Sequence, residues 1–478
     1  MGLPRNVSRM RDYSYRVEEG YVPGMRRTAR VFTTEQGLTK AHEDGSLRQL
    51  AEVACLPGGV GEALALPDIH HGYGFPIGGV AAFDAGAGLI SPGGVGYDIN
   101  CGVRALATPL TARDVRERAD EVADLLFTAV PCGVGASTPR QLGRRDLRKV
   151  LYQGARWMIE RGHGLSGDLA ACESGGVLDE ADPEAVSDKA LQRGRNQLGT
   201  LGSGNHFLEL QRVAALYDDE VAAVWGLTEV DQVVVMIHCG SRGLGHQVCQ
   251  DTLKRLGAKA AEAPNRQLVY AELASPAGRA YLGAMSAAAN YAWANRQRIT
   301  AAVRGVLSRV YGSGDARFPL IYDVAHNIAK LEEHEVDGRR RRLIVHRKGA
   351  TRAFPAGHPE LPRRLREHGQ PVILPGDMGT ASYLLTPLPT VMERSFGSTG
   401  HGAGRVLSRK AAVRRLKGRD LRREWRERGL TVRWEGRTTL AEEHPSAYKD
   451  VDEVVRVCEG AGLARPVVRL EPLLVVKG

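Results

Sequence analysis

Ser91–Arg104, SPGGVGYDINCGVR, sets Asp98 and Cys101 three residues apart inside a glycine-rich run. Gly93, Gly94, Gly96 and Gly102 allow the backbone to turn tightly and another group to come close to it. A carboxylate and a thiol held on such a turn can bind one metal ion or bridge two. Taken alone, the pair reads more simply as a surface turn with a half-buried cysteine. Four more segments, each setting histidine beside glycine or asparagine, change that reading. The candidate residues run from Asp68 to Lys477, with no internal repeat and no low-complexity linker between them. Residues so far apart that serve one site predict an interleaved α+β fold: one large domain over 1–478, with residues 1–50 as a peripheral N-terminal segment.

A chain of 478 residues, 43% of them hydrophobic, can bury a sizeable core. No run of 18 uncharged apolar residues occurs, so no membrane span is expected. The N-terminus, MGLPRNVSRMRDYSYR, has no apolar stretch of the signal-peptide kind. Seven scattered cysteines do not read as a disulfide framework, which makes the cytoplasm the expected compartment. A formal charge of +10 favours a polyanionic partner such as RNA, DNA or a nucleotide phosphate.

Helical patterns are predicted over Ala41–Ala54, Thr111–Thr128 and Leu147–Arg161, and a helical surface excursion over Asp168–Gly194. The alanine-rich run Ala258–Val310 reads as long helices, best from Ser275 to Leu307. Gly404–Arg428 reads as a basic helix and Asp450–Glu459 as a short one. Strands are expected at Gly79–Phe83, Gln232–Ile237, Leu320–Val324, Arg342–His346, Val372–Leu374 and Val467–Val476. Val336–Arg339, VDGR, is a hairpin turn signal.

The chemistry lies in a few segments. LPDIHHGYGFPIGGVAAF, from Leu66 to Phe83, carries Asp68, His70 and His71; a buried aspartate commonly orients a histidine, and adjacent histidines on an extended chain point opposite ways. LGTLGSGNHFLEL places Asn205, His206 and Glu209 after three glycines, a loop able to offer backbone N–H groups to phosphate. VVVMIHCGSRGLGH runs a β-branched strand into His238, where functional side chains often sit, while Cys239 and His246 read as structural. IYDVAHNIAKLEEH repeats the arrangement at His326 and Asn327; His334 reads as solvated, in a charged helix. In PGDMGTASY, backbone amides and Ser382 can hold a ribose or a base. In FGSTGHGAGRVLSR, His401 stands between glycines before a helix expected to start near Gly404, with Arg405 near enough to stabilise phosphate charge. Such a histidine suits attack on a nucleotide phosphorus, giving a phosphoramidate. Asp98, Cys101, His206, His238 and His326 together can serve one metal with a spare ligand or two bridged by the thiolate, and ligand softness alone points to zinc.

Taken in order, PDIHHGYGFPIGG, PGGVGYDINCGVR, GTLGSGNHFLEL, IHCGSRGLGH, VAHN, HRKGATRA, PGDMGTASY, HGAGR, AYKDVDEVV and the final VVKG closely resemble the RtcB RNA ligases, tRNA-splicing and RNA-repair enzymes that use GTP. The resemblance runs from about Leu66 to the end. It implies an RtcB-like fold around a central dinuclear metal cleft, with two Mn(II) ions rather than zinc. Asp98, Cys101, His206, His238 and His326 match the family's metal ligands, with Cys101 as the bridge. His401 matches the histidine that becomes guanylylated, and Asp68 the carboxylate that orients it. GTP contacts are implied for Asn205, His206, Phe207, Leu208, Glu209, His326, Asn327, Pro375, Gly376, Asp377, Met378, Ser382, His401, Gly402, Ala403, Gly404 and Lys477. Of these, Glu209 and Lys477 would read the guanine edge. One departure is Gly400, where many members carry cysteine.

The implied activity joins an RNA 2′,3′-cyclic phosphate or 3′-phosphate to a 5′-hydroxyl, through a histidine–GMP intermediate and an RNA 3′ end capped with GMP. RNA, GTP and an activating protein of the archease type are the implied partners. Eleven Lys or Arg against three acids between Arg405 and Arg428 make a candidate RNA track, with Arg405, Arg409, Arg414 and Arg415 as its first contacts. The rival readings are a binuclear metallohydrolase, which needs neither His401 nor a guanine site, and a non-enzymatic RNA-binding protein, which needs no buried Asp–Cys–His set.

Overall fold

A computed structural model describes residues 2–11, 13–139, 141–257, 263–312, 314 and 317–478. The strand Gln232–Cys239, QVVVMIHC, is buried at every position, as a β-branched run covered on both faces should be. It pairs antiparallel with Gly102–Thr111 on one side and Phe207–Leu216 on the other. Beyond these lie Leu320–Ala325 on the first side and the C-terminal strand Ala464–Lys477 on the second. Ser382–Pro387 and Val372–Leu374 extend the sheet, and Thr431–Trp434 pairs parallel with the C-terminal strand, making eight strands among the described residues.

A second sheet of seven strands runs Val7–Arg9, Ser14–Val17, Ala29–Phe32, Gly59–His70, Ile77–Asp84, Arg339–Lys348, Asn327–Val336. Residues 7–32 thus build one edge of it and bury Val17, Val31 and Phe32 completely. The hairpin at Val336–Arg339 closes as expected, with Asp337 and Gly338 both at positive φ (51° and 70°). The chain passes from one sheet to the other at a single residue, His326, between Leu320–Ala325 and Asn327–Val336.

The alanine-rich run forms one 36-residue helix, Pro276–Tyr311. Ser275 caps its first turn by accepting from Gly278 N–H, Pro276 opens it, and Gly312 in the left-handed region closes it. Apolar residues lie all around it, so it is buried on most sides, with Tyr281, Tyr291 and Trp293 fully enclosed. Positions 258–262 of the predicted run lie outside the described residues.

Several expectations need correction. Gly45 and Gly154, both at positive φ, split predicted helices into Glu35–Glu43 with Ser46–Val53, and Arg144–Gln153 with Ala155–Glu160. Thr111–Thr128 is Ala112–Glu117 followed by Ala119–Ala129. The segment 168–194 holds short 3₁₀ turns and one helix, Asp188–Gly194, and is not wholly superficial. Asp168 and Glu173 are buried against Arg304 and Lys330. His334 lies on a strand, not a helix, and is buried against Glu332, which also holds Arg347. The predicted basic helix is two helices, Arg409–Arg415 and Leu421–Glu427, the second capped by the Asp420 side chain.

Candidate metal centre and nucleophile

Strand pairing alone brings four of the five candidate ligands together. Gly102 lies opposite both Ala325 and Cys239, and Phe207 lies opposite His238. Cys101, His206 and His326 each flank one of these residues, and His238 is one of them. Four adjacent strands therefore place their ligands at one end of the sheet, at the ~5 Å spacing of neighbouring strands. Asp98 reaches the same place on the 3₁₀ turn Pro92–Gly94 and the bends after it. The glycines matter locally: a Cβ at Gly240 would collide with the Asp98 carboxylate.

The ligand atoms fall into two triads that share Cys101: Cys101–His238–His326 and Asp98–Cys101–His206. Cys101 Sγ lies 3.2 Å from His238 Nε2 and 3.3 Å from His206 Nε2. His238 and His326 face each other Nε2 to Nε2 at 3.2 Å, and Asp98 Oδ2 lies 2.8 Å from His206 Nε2. Such separations suit donors gathered around cations at bond lengths of about 2.0–2.3 Å. The Nδ1 atoms of all three histidines are buried with no hydrogen-bond partner among the described residues, and it is the Nε2 atoms that face the other donors. Burial holds His238 and His326 well below the ordinary imidazole pKa, in the neutral, ligating form. Burial and the neighbouring Asp98 push the Cys101 thiol up to about 12; a cation in the site would displace that proton. The chemistry of the donor set fits a pair of divalent ions.

His401 comes from the other sheet's side. Ser398–Gly400 pairs with Ala350–Arg352, and Ala350 N–H donates to His326 O at 3.1 Å, so the His326 and His401 rings meet at 4.8 Å between centroids. Asp68 is fully buried on Gly59–His70 and accepts from His401 N–H at 2.9 Å and from His401 Nδ1. Burial raises the Asp68 pKa, but the His401 imidazole and its hydrogen bonds outweigh it, and the carboxyl lies below its ordinary range. An ionised carboxylate only accepts, so Nδ1 carries a proton, and in the neutral ring the lone pair is then on Nε2. The helix expected near Gly404 begins only at Arg409, so His401 sits in a loop rather than at a helix N-terminus. A Cβ at Gly400 would make ordinary contact with Cys458 Sγ at 3.5 Å, so the residue's smallness is not what shapes this loop.

A third group adjoins these. Lys477 pairs opposite Phe207 and Val475 opposite Glu209, so Phe207, Glu209 and Lys477 share one face of the sheet. Lys477 Nζ lies 5.6 Å from the Phe207 ring centre and 3.7 Å from Glu443. Glu209 Oε1 and Asp377 Oδ2 are buried acceptors with no partner among the described residues. Burial raises Glu209 to about 7 and Asp377 to about 6. Asn327 ties the halves together: its Nδ2 donates to Asp98 O at 3.2 Å and its Oδ1 accepts from Gly349 N–H at 2.8 Å. Asn205 is half-buried beside His206, while Gly402, Ala403 and Gly404 line the loop after His401, with Ala403 N–H donating to Pro375 O.

Other predicted contacts are placed differently. Leu208 turns into the apolar layer with Leu106, Val235 and Ile237, and Met378 packs against Trp425. Ser382 Oγ is engaged by Gly376 N–H and Gln211, so it braces the Pro375–Met378 turn. Arg405 is not free for phosphate: it donates to Leu407 O, Glu442 O, Glu443 and Tyr448. Arg409, Arg414 and Arg415 are exposed on their helix. His70 bonds the Asp68 carbonyl and His71 faces outward, so neither joins the triads. The sequence reading missed Glu443, which gathers Lys477, Arg405 and Tyr448, and Lys449, which donates to Pro67 O and Ile69 O around Asp68. Neither Glu443 nor Lys449 in AEEHPSAYKD carries a spacing signal for its role.

Among the described residues, no helix is long and apolar enough to cross a membrane. The family model described as tRNA-splicing ligase RtcB matches residues 49–478. A protein named tRNA-splicing ligase RtcB from Thermococcus kodakarensis is 53% identical over 461 residues, 95% of each chain. One of the same name from Archaeoglobus fulgidus is 49% identical over 487 aligned positions, 100% of each. RNA-splicing ligase RtcB of Mycobacterium tuberculosis is 51% identical over 437 residues, 90% of this chain and all of that one. Matches of this length and identity, falling across every segment that builds the centre, leave one assignment: the chain belongs to the tRNA-splicing ligase RtcB family of enzymes.

Proposed function

We propose that this protein is a GTP-dependent RNA ligase that joins RNA 2′,3′-cyclic phosphate or 3′-phosphate ends to 5′-hydroxyl ends, in tRNA splicing or RNA repair. The observation that carries the reading is His401, its Nδ1 held by the buried Asp68 carboxylate and its ring against His326, beside two ligand triads that share Cys101. His401 Nε2 attacks the α-phosphorus of GTP, the bond to the β-phosphate oxygen breaks, and pyrophosphate leaves. Asp68 keeps the imidazole in the attacking tautomer and stabilises the positive charge it gains. Two Mn(II) ions, held by the triads, would supply charge that offsets the anionic phosphates and positions them for in-line displacement.

Water opens the cyclic phosphate by breaking its bond to the 2′ oxygen. An oxygen of the resulting 3′-phosphate takes GMP from His401, the N–P bond breaking as the new P–O bond forms. The 5′-hydroxyl of the second strand then attacks the RNA 3′-phosphorus, GMP leaves, and a 3′,5′-phosphodiester remains. Phe207, Glu209 and Lys477 form one wall for the guanine, supported by the buried, partnerless Glu209 Oε1. A carboxylate there accepts from guanine N1–H and N2–H and has no such donors in adenine. The cytoplasm and an archease-type activator belong to the same reading.

The test is ligation of a cyclic-phosphate strand to a 5′-hydroxyl strand with Mn(II), comparing GTP with ATP, alongside covalent labelling by α-labelled GTP. We expect joining with GTP only, and labelling lost in His401→Ala. Equal labelling of His401→Ala, or joining without any nucleotide, would sink the proposal.

A further inference from the structure

One turn of the long helix Pro276–Tyr311 bonds to each of the four strand-end segments that carry a candidate ligand, at backbone groups in three and at the Asp323 carboxylate in the fourth. Asn295 Oδ1 accepts from Gly199 N–H at 2.6 Å and Thr200 N–H at 3.2 Å, on the loop leading to His206. Its Nδ2 donates to Gly240 O at 3.3 Å, two residues past His238. Arg296 Nη1 donates to Asn100 O and Cys239 O, both at 2.8 Å, the residues adjoining Cys101 and His238. Its Nη2 donates to Asn100 Oδ1 at 3.0 Å, and Nε and Nη2 grip Asp323, three residues before His326, at 2.8–3.1 Å.

Both side chains are fully buried and neither touches a ligand atom. Asn100 sits at φ 51°, in the left-handed region that asparagine tolerates better than most side chains and that surrounding hydrogen-bond constraints hold here. Arg296 supplies two of those constraints, and Asn100 Nδ2 adds a third by donating to Ala289 O of the same helix at 2.8 Å. A planar guanidinium can meet two carbonyls and a carboxylate at once; a lysine ammonium on a flexible stem cannot hold the same set.

We infer that Asn295 and Arg296 are positioning residues that set the spacing of the two ligand triads from behind, so that metal affinity depends on this turn of the helix. The inference rests on the metal-binding reading of the triads. The alternative is a buried ion pair that only stabilises the fold. Arg304, about two turns further along the same helix, separates the two. It is equally buried and bidentate to Asp168 at 2.6 and 2.8 Å, and it touches no ligand-bearing turn.

Arg296→Lys and Arg304→Lys would be made in the full chain and compared by Mn(II) affinity, from the EPR signal of free Mn(II), and by the thiolate-to-Co(II) absorption of the cobalt-loaded protein. Arg296→Lys is expected to bind Mn(II) roughly 10- to 100-fold more weakly and to shift the cobalt spectrum. Arg304→Lys should stay within about threefold with an unchanged spectrum, even if its melting temperature falls as far. Should Arg296→Lys not fold, Asn295→Ala, which strands no buried charge, carries the same expectation. Wild-type affinity and spectrum in the folded position-296 or position-295 variant, or equal perturbation by Arg304→Lys, overturns the inference. If the unaltered protein binds neither ion, the metal reading fails and takes this inference with it.

Discussion

Replacing Asp68 by asparagine tests the centre at its narrowest point. The change is nearly isosteric and keeps a polar atom at Oδ1, which is buried with no hydrogen-bond partner among the described residues. It removes the charge that accepts from both His401 N–H and Nδ1–H. A hydrogen bond to a charged group contributes about 1.5–3 kcal/mol and a neutral one about 0.5–1.5, so two weakened bonds cost about 2–3 kcal/mol. If all of that is felt in the transition state, adduct formation slows by roughly 30- to 150-fold. The loss is larger if the new amide turns its N–H toward the ring. Nδ1 must then accept, the proton moves to Nε2, and the attacking lone pair is gone; an analogous wrong tautomer in a serine protease costs about 10⁴-fold. The assay is single-turnover transfer of α-labelled GTP to the protein at saturating nucleotide and Mn(II), with GTP affinity measured separately. Because Asp68 is held below the ordinary carboxylate range, the unaltered protein should show no loss of rate from its protonation near neutral pH. A labelling rate for Asp68→Asn within about threefold of the unaltered protein would refute the orienting role.

Three further outcomes follow from the same geometry. Mn(II) affinity should rise with pH: the Cys101 thiol, raised to about 12, loses a proton on binding, as does His206, whose pKa Cys101 and Asp98 raise against burial. Log affinity against pH should therefore have a slope between about one and two near neutrality, and a flat profile by EPR titration would contradict thiolate ligation. Burial raises Glu209 to about 7, above its unfolded value, so its contribution to stability is present below the unfolded pKa and falls as pH rises to 7. Glu209→Gln should remove a cost on the order of 3 kcal/mol above pH 7, raising the melting temperature there while weakening the preference for GTP over ATP; unchanged melting at pH 8 would contradict it. Arg414→Ala with Arg415→Ala should lower the slope of log RNA affinity against log salt by about 1.4 and leave His401 labelling intact; an unchanged slope would remove this helix from the RNA path.

Four of the five ligands stand at the ends of strands, and Asp98 with Cys101 was legible from the glycine-rich run before Gly102. VVVMI announces His238, and the same boundary logic holds at His326 and at Cys101, which only has to precede Gly102. The long helix was legible from its composition, with serine and proline at its start. Asn327–Val336 was not. Its inward face carries Lys330, Glu332 and His334: Glu173 and Arg347, from other elements, partner the lysine and the glutamate, and Glu332 in turn holds the histidine. Charges at alternate positions read as a solvated helix unless those distant partners are known, and sequence order does not supply them. Arg405 failed for the same reason. Proximity to His401 suggested phosphate, but Glu443 and Tyr448, some forty residues on, claim the guanidinium first.

These buried pairs explain how a polar centre can sit at the seam of two sheets. Five candidate ligands and Asp68 occupy volume that apolar side chains would otherwise fill, so packing alone does not fix their geometry. Ion pairs in such a place add little net stability, because desolvation offsets their attraction. What they do supply is direction: Arg104 and Arg296 converge on Asp323 three residues before His326, and Arg347 ties Glu332 to Ser398 three residues before His401. The two rings that meet at 4.8 Å across the seam thus each follow, by three residues, a side chain held by buried arginine: Asp323 by Arg104 and Arg296, Ser398 by Arg347. Since His326 is also the one residue between the strand in one sheet and the strand in the other, a slip of the sheets moves His401 relative to the triads. Asn327, bonded both to the Asp98 carbonyl and to Gly349, is the side chain placed to resist that slip.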